Sequence, residues 1–583
     1  MRYHALATDY DGTIATHGIV DDGTLDALER LRASGRKLIM VTGREMADLQ
    51  VVFPRPDLFE WIVAENGAQL YRPSNQETIF LGEAPPEKFV EELRRRGVER
   101  ISVGGCIVAT WEPWENVVLS TIRDMGLELK VIFNKGAVMI LPASINKATG
   151  LTAALERMGL SPHEVVGVGD AENDHAFFSI CECSAAVANA LPALKERADI
   201  QLERDHGAGV TDLIDHLLAD DLQKLEGKIG RHQFLLGHRA DDVEVRVKPY
   251  NNAILIAGPS GSGKSTVATG LMERLGDLGY QHCIVDPEGD FAAFEGAIVL
   301  GGANQPPATD EVLQVLKNPK SNVVVNMVGV PLADRPDFFG KLLGRLLEFR
   351  AATGRPHWLL VDEAHHLLPT AWKPATTTLP PEFNRLILVT VHPGEVSPAA
   401  LDLVKLVVAV GPEPRKVMDE FFQGVGEGNV EVEYPEQAAE QVFVWSRQAR
   451  EANLVRPAPC RSERRRHIRK YMSGELPIEQ SFFFRGPAGK LKLRAQNLML
   501  FLQMADGVDD ETWLHHLENG DVVKWFAESI KDRELVKEGG AVATAGLSAE
   551  ESRAKIRSIV ERRYTLPATS YLPMPGTAAA PKA

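Results

Sequence analysis

The chain has 583 residues, which at about 150 residues per domain predicts three or four domains, each large enough to bury its own core. Hydrophobic residues at 44% and charged residues at 25% are globular averages and exclude a chain that is disordered throughout. Lys and Arg number 64 against 80 Asp and Glu, a formal charge of −16, which disfavours broad nonspecific binding of nucleic acid but allows a local basic patch. The five cysteines, Cys106, Cys181, Cys183, Cys283 and Cys460, show neither paired metal-ligand spacing nor a disulfide framework, so a reducing cytoplasm is the expected location. No charged leader with an apolar stretch and no run of 18 apolar residues precedes or interrupts the pattern, so neither a secretion signal nor a membrane span is expected.

The first element is the apolar run Ala5-Leu6-Ala7, which ends in Asp9-Tyr10-Asp11-Gly12-Thr13. A strand end of this kind sends two carboxylates out of a sheet together, and Gly12 permits the tight turn that keeps them near one site. One acid can attack as a nucleophile while its neighbour serves as general acid and then base; a solvated Asx turn is the bland alternative. Asp21 to Ser34 reads as a helix on Leu25, Leu28 and Leu31, and Lys37 to Val41 as a strand running into Thr42-Gly43-Arg44. A hydroxyl and N–H groups at a strand-to-helix junction suit a phosphate, although Thr42 could equally cap a helix. Trp61 to Ala64 is a third strand, ending in Glu65-Asn66-Gly67.

From about 85 to 140 the pattern is that of a small inserted α/β unit: a helix over Pro86 to Arg96, strands around Ile101 to Val108 and a helix near Trp114 to Met125. Lys147 then opens a helix in Asn146-Lys147-Ala148-Thr149-Gly150-Leu151. Val165 to Val168 leads into Gly169-Asp170-Ala171-Glu172-Asn173-Asp174, where Asp170, Asn173 and Asp174 supply oxygen ligands for a hard cation such as Mg2+. The next residue, His175, reads as packing or surface.

The ordered set DYDGT, VTGR, NKATGL and GDAENDHAFF resembles the haloacid dehalogenase superfamily of phosphatases, and the inserted unit looks like the α/β cap of its Cof-type and sucrose-phosphatase-like branch. The resemblance spans about residues 1 to 215 and implies a Rossmann-like α/β domain. It also implies roles. Asp9 would form an aspartyl-phosphate, and Asp11 would protonate the leaving oxygen and then activate water. Thr42 and Lys147 would hold the phosphoryl oxygens. Asp9, the Asp11 carbonyl and Asp170 would bind Mg2+, with Asn173 and Asp174 supporting, and Arg44 and Asn66 would face the substrate. The implied substrate is a small phosphomonoester such as a sugar phosphate or phosphoglycolate.

Residues near 222 to 231 read as a linker with short strands. The strand Ala253 to Ala257 is followed by Gly258-Pro259-Ser260-Gly261-Ser262-Gly263-Lys264-Ser265-Thr266, a complete GxxxxGK[ST] phosphate loop. Its glycines (Gly258, Gly261, Gly263) let backbone N–H groups wrap phosphates, Lys264 neutralises the terminal charge, and Ser265, next to Thr266, offers a hydroxyl to Mg2+. The strand Trp358 to Val361 ends in Asp362-Glu363-Ala364-His365-His366; Asp362 can hold the Mg2+ water shell and Glu363 can polarise a water for ATP hydrolysis. Strands around Val323 to Val325 and Leu386 to Val389 fit a parallel sheet with an extra strand between loop and acids. Thr390 could sense the γ phosphate; His392 could do so or be plain structure. Through GPSGSGKST, VDPEGD and LLVDEAHH the stretch 235 to 445 resembles HerA/FtsK-type P-loop ATPases, which commonly form ring motors on DNA or peptides, so a homo-oligomer through this domain is one implied state. Arg385 and Arg415 are candidate arginine fingers.

In the C-terminal part, Arg461 to Lys470 is a basic stretch, readable as a solvated face or as an anion contact. Leu493 to Met504 and Asp510 to Leu517 read as helices with Trp513, Trp525 and Phe526 as core, and a Pro- and Ala-rich tail from 566 reads as disordered. The expected domains are 1–220 with a cap at about 85–140, 221–450 and 455–565, with 566–583 as tail. The expected function is a cytoplasmic Mg2+-dependent phosphatase of a small phosphorylated substrate joined to an ATP-binding and ATP-hydrolysing domain. The alternatives are a polynucleotide end-repair enzyme and a HerA-like DNA motor. Nucleic acid is not favoured, because a large cap should obstruct a polymer end.

Overall fold

The computed structural model describes residues 1–134, 136–371, 384–428, 430–438, 440–461, 471–472, 476, 481–530 and 532–564. The basic residues 462–470 and the tail read as disordered lie outside the described residues. The chain divides into two units, Met1–Ala458 and Pro459–Ala583. Among the described residues no helix is long and apolar enough to cross a membrane.

The first unit is built on two large sheets. In the N-terminal one, eight strands run edge to edge as Ile200–Gln201, Cys183–Ala186, Val165–Gly169, Ala5–Thr8, Lys37–Val41, Trp61–Ala64, Gln69–Arg72 and Glu77–Phe80. The first six are parallel, and the last two form an antiparallel edge. The central strands ALAT, WIVA and VVGVG are buried at every position, as strands covered by helices on both faces must be, which explains their unbroken apolar character. Thr8 stands level with Met40 and Val168, so the residues that follow these strands emerge along one edge.

An insert sits between the strand Glu77–Phe80 and the helix Lys147–Met158. Its strands pair antiparallel in the order Ser102–Val103, Val108–Trp111, Ala137–Pro142 and Leu129–Asn134. The helices Glu87–Arg95 and Glu115–Asp124 close one face of this sheet over Phe89, Leu93, Val118, Val138 and Ile140.

A 3-10 turn, Gln223–Lys228, leads to the second sheet. Its order is Glu244–Val247, Phe234–His238, Glu451–Pro457, Val442–Ser446, Leu406–Ala409, Ala253–Ala257, Leu386–Thr390, Trp358–Val361, His282–Asp286, Asn322–Asn326 and Ala297–Leu300. From Leu406–Ala409 onward the neighbours are parallel. Leu386–Thr390 therefore lies between the strand before the glycine-rich loop and the strand before Asp362, whereas Asn322–Asn326 lies beyond His282–Asp286.

The second unit packs helices Leu498–Gly507, Asp510–Glu518, Asp521–Trp525, Arg533–Ala543 and Ala549–Tyr564 around Phe501, Trp513, Trp525 and Phe526. The helix expected from Leu493 begins only at Leu498. Leu493–Ala495 instead pairs with Phe482–Phe484, and the Asn497 side chain accepts the Leu500 N–H at 2.8 Å, so a strand partner and a capping amide decide against the apolar periodicity. His516 accepts the Arg485 N–H at 2.9 Å and lies 2.7 Å from Asp521 Oδ2, a structural role.

Candidate active site

At the carboxyl edge of the first sheet, Asp9 follows Ala5–Thr8, Thr42 follows Lys37–Val41, and Asp170 follows Val165–Gly169. Lys147 reaches them from the first turn of its own helix. The Asn146 side chain accepts the Thr149 N–H at 2.9 Å, and Thr149 answers the Asn146 N–H at 3.0 Å, a capping box that sets where that helix starts. The helix seats against Glu65–Gly67: a Cβ on Gly67, whose φ is +105°, would stand 2.0 Å from the Asn146 carbonyl oxygen. Only glycine permits that approach.

Lys147 Nζ donates to Asp9 Oδ1 and to Asp174 Oδ1, both at 2.6 Å. Asp174 Oδ2 accepts the N–H groups of Asp170 and Ala171 at 2.8 and 3.0 Å. Both Asp174 oxygens are thus engaged in bracing Lys147 and the turn. Thr13 Oγ1 lies 3.2 Å from Asp9 Oδ2 and 3.4 Å from Asp170 Oδ1. Carboxylate oxygens of Asp9, Asp170 and Asp174 fall within 4.8 Å of one another. Burial, only partly offset by Lys147 and reinforced by Asp174 and Asp170, pushes the Asp9 carboxyl up to about 8. For Lys147 burial works against the charge, yet Asp174 and Asp9 outweigh it and hold the ammonium above its ordinary value. Three buried carboxylates face one ammonium, and this imbalance is the electrostatic signature of the site.

The remaining expected residues line the same edge. Arg44 grips the Asp11 carboxylate with two arms at 2.6 and 2.7 Å, and Thr42 Oγ1 accepts the Arg44 N–H at 3.1 Å. Asn173 Nδ2 donates to Asn66 Oδ1 at 2.8 Å, while Asn173 Oδ1 is buried without a hydrogen-bond partner. His175 is half-buried, and burial lowers its pKa.

Three features escaped sequence reasoning. Thr13, inside the first motif, ties Asp9 to Asp170. Buried Glu65 accepts the Gly105 and Cys106 N–H groups at 2.8 and 2.7 Å and so pins the insert. The insert also sends Met139 to the site, where its Sδ lies 2.6 Å from Asn66 Nδ2. Ala109, Trp111 and Lys130 share the Met139 face of that sheet by register, and the strand Leu129–Asn134 rests on the turn Glu172–Asp174. Only the motif position of Thr13 and the acid at a strand end in Glu65 offered any signal.

A second edge lies at the glycine-rich segment. Gly258 to Gly263 connects Ala253–Ala257 to the helix Lys264–Asp277, whose first turn holds Ser265 and Thr266. A Cβ on Gly258 would stand 1.9 Å from the Val410 carbonyl oxygen, so this position too excludes a side chain. Gly261 and Gly263 adopt φ of +74° and +101°. Lys264 Nζ donates to the Pro259 carbonyl at 2.9 Å; burial lowers its pKa against the pull of Glu363, Asp362 and Asp290. Burial first, then Glu363, Asp286 and Asp290, raises the Asp362 carboxyl, and burial and Glu288 raise Glu363. His365 Nδ1 lies 3.1 Å from Thr390 Oγ1 and 3.4 Å from Glu363 Oε2, and Thr390 Oγ1 accepts the His392 N–H at 3.1 Å. Arg385 is brought elsewhere: it precedes Leu386–Thr390, at the opposite edge of the sheet, where its N–H donates to Asn252. Arg415 stands over the Tyr434 ring at 4.9 Å, in a cavity of about 900 Å³ that also includes Gly411.

The parallel sheet, its acid-rich carboxyl edge and the insert above it make the N-terminal part a Rossmann-like α/β domain with a cap. The sequence profile of haloacid dehalogenase-like hydrolases matches residues 6–97 and 124–214. Phosphoglycolate phosphatase 2 of Saccharolobus solfataricus is 31% identical over 228 residues, which cover 38% of this chain and 94% of that protein. The phosphoglycolate phosphatase of Methanothermobacter thermautotrophicus is 30% identical over 221 residues, 36% of this chain and 96% of that one. A haloacid dehalogenase-like hydrolase of known crystal structure from Bacteroides thetaiotaomicron aligns with a TM-score of 0.34 at 18% identity, covering 37% of this chain and 99% of that one. The chain belongs, through these N-terminal residues, to the haloacid dehalogenase-like hydrolase family.

Proposed function

We propose that the N-terminal part is a Mg2+-dependent phosphatase of small anionic phosphomonoesters working through an aspartyl-phosphate on Asp9. The observation that carries this reading is the buried bridge from Lys147 to Asp9 and Asp174. It holds Asp9 Oδ1 while Thr13 Oγ1 lies beside Oδ2, and with three carboxylates against one ammonium it leaves net negative charge there for a cation to balance. Asp9 attacks phosphorus, and the phosphoryl oxygens lie against Lys147 and Thr42. Asp11, with one of its oxygens released from the Arg44 fork and protonated, gives that proton to the leaving oxygen and then takes one from the water that cleaves the acyl-phosphate. Asp174 keeps Lys147 in place.

The residues fit a divalent cation, because three carboxylates share one ammonium and the Asn173 Oδ1 acceptor is buried with no donor. Asp9, the Asp11 carbonyl and Asp170 would hold it, with Asn173 and Asp174 in support. A bound Mg2+ supplies charge neutralisation for the incoming phosphate. The relatives named as phosphoglycolate phosphatases, and the cationic Lys130 on the Met139 face of the insert, make phosphoglycolate the first substrate to test.

The reading is tested by phosphate release from phosphoglycolate, hexose phosphates and 3'-phosphorylated oligonucleotides, in Mg2+ and in chelator. We expect turnover of a small ester that is lost in Asp9→Asn. Unimpaired turnover in Asp9→Asn overturns the nucleophile, and selective turnover of the oligonucleotide replaces the reading with nucleic-acid end repair.

We further propose that the glycine-rich segment binds ATP, with Lys264 and Ser265 at the phosphates, Asp362 toward Mg2+ and Glu363 toward the attacking water. Support comes from the strand, loop and helix succession and from the strand inserted between loop and acids. Fluorescent-nucleotide binding tests the site, and phosphate release from ATP with and without DNA separates a nucleotide-hydrolysing regulator from a HerA-like DNA motor, since the motor predicts DNA-stimulated turnover.

A further inference from the structure

The seam between the two sheets holds a buried cluster that neither edge uses. His163 lies in the turn Pro162–Glu164 just before Val165–Gly169, and Glu182 immediately precedes Cys183–Ala186. Both therefore sit at the amino edge of the first sheet, opposite the carboxyl edge that carries Asp9. His232 comes from the connection between the sheets. One ligand atom from each residue falls within 4.8 Å of the others: His163 Nδ1 is 2.7 Å and His232 Nε2 3.9 Å from Glu182 Oε2. Glu182 and His163 are buried, 1% and 6% exposed.

The hydrogen-bond pattern gathers acceptors around one point. His163 Nε2 lies 2.7 Å from the Leu278 carbonyl oxygen, which only accepts, so Nε2 carries the hydrogen. In a neutral ring Nδ1 is then a lone pair, and it faces a carboxylate oxygen. Such a pair, 2.7 Å apart, is held by a positive charge between the two atoms, either a proton on Nδ1 or a bound cation. Glu182 is already supplied with donors, by the Tyr280 hydroxyl at 2.9 Å on Oε2 and by Arg2 at 3.5 Å on Oε1. His232 Nε2 stands 3.4 Å from the Cys181 carbonyl, too far to commit it firmly as a donor.

We propose that His163, Glu182 and His232 form a binding site for one divalent d-block ion of the Zn2+ class, which staples the hydrolase part to the second sheet. Two imidazole nitrogens and one carboxylate are a donor set for such an ion and not for Mg2+. The surrounding contacts are those that orient metal ligands: the Leu278 carbonyl fixes His163, and the Tyr280 hydroxyl fixes Glu182. Both come from the end of the helix Lys264–Asp277 and the loop after it, in the second sheet's half, so a metal here ties three segments together. A cavity of about 730 Å³, lined by His163, His232, Tyr280 and Leu160 among others, provides an entry path and room for water as the fourth ligand.

The test uses the full chain, stripped with chelator, dialysed against Zn2+ in excess Mg2+ and assayed for bound metal by mass spectrometry. About one Zn2+ per chain is expected in the wild type and in Asp9→Asn, falling to near zero in His232→Gln, with the thermal midpoint raised by Zn2+ only where the ion binds. His232 is partly exposed and lies in a connection, and circular dichroism of His232→Gln is the check that the variant is folded. No bound Zn2+ in the wild type, loss in Asp9→Asn, or full retention in His232→Gln overturns the proposal. In that case the cation between His163 and Glu182 is a proton.

Discussion

Arg44 holds the Asp11 carboxylate in a two-armed grip, Nε to Oδ2 at 2.6 Å and Nη2 to Oδ1 at 2.7 Å, while its third nitrogen reaches Asp48 at 2.5 Å. The fork sets the direction of the proposed acid and base. Arg44→Ala should lower kcat/KM for a phosphomonoester by about tenfold to a hundredfold, and Arg44→Lys should recover little, because a lysine cannot supply two parallel donors. Steady-state kinetics of the two variants decides the point; wild-type values in Arg44→Ala would remove Arg44 from the site.

Gly67 lies under the residue that caps the Lys147 helix, and an added Cβ would stand 2.0 Å from the Asn146 carbonyl oxygen. Gly67→Ala should therefore cost about 1–3 kcal/mol of stability and, by shifting Lys147 from Asp9, reduce turnover more than tenfold. Urea unfolding and phosphate release on the same preparation measure both effects.

Glu65 ties the insert to the strand end through two backbone N–H groups, those of Gly105 and Cys106. Glu65→Ala leaves both donors without this acceptor, at about 1–3 kcal/mol each where they stay buried. Protease cleavage between residues 98 and 107 should become faster and KM should rise. Unchanged cleavage would mean that the insert is held from elsewhere.

Lys264 sits at the glycine-rich loop with Asp362, Glu363 and Asp290 around it. Lys264→Ala should weaken ATP binding at least tenfold, read by fluorescent-nucleotide titration. Equal affinity in both proteins would refute the proposed nucleotide site.

His282 is buried at the start of a strand of the second sheet, and burial lowers its pKa from 6.5 to about 4. The unfolded chain thus takes up the proton first. The stability linked to neutral His282 is fully present above about pH 6.5 and is lost as pH falls toward 4, amounting to about 3 kcal/mol across that window. His282→Leu should flatten the decline in urea midpoint between pH 7 and pH 4.5, and an unchanged slope would assign the acid sensitivity to other groups.

The strands around the first site were legible because each one is a short apolar run closed by a turn signal. A strand covered on both faces must be apolar throughout, and a chain leaving a sheet must turn. The same local rule marked Ala253–Ala257 and Trp358–Val361. It failed at Leu493, where the apolar spacing read as helix and the pairing partner Phe482–Phe484 decided otherwise.

What the sequence by itself determined is which residue types stand at which strand ends, since strand, turn and capping preferences act over a few neighbours. The tertiary structure alone decided which side chains meet. Lys147 bonds Asp9 across 138 positions, Glu65 reaches the insert, Arg385 is carried to the far edge of its sheet, and His163, Glu182 and His232 converge at the seam. Contacts of that kind depend on strand order and register, which are set by the packing of whole layers and leave no trace in the spacing of any one segment.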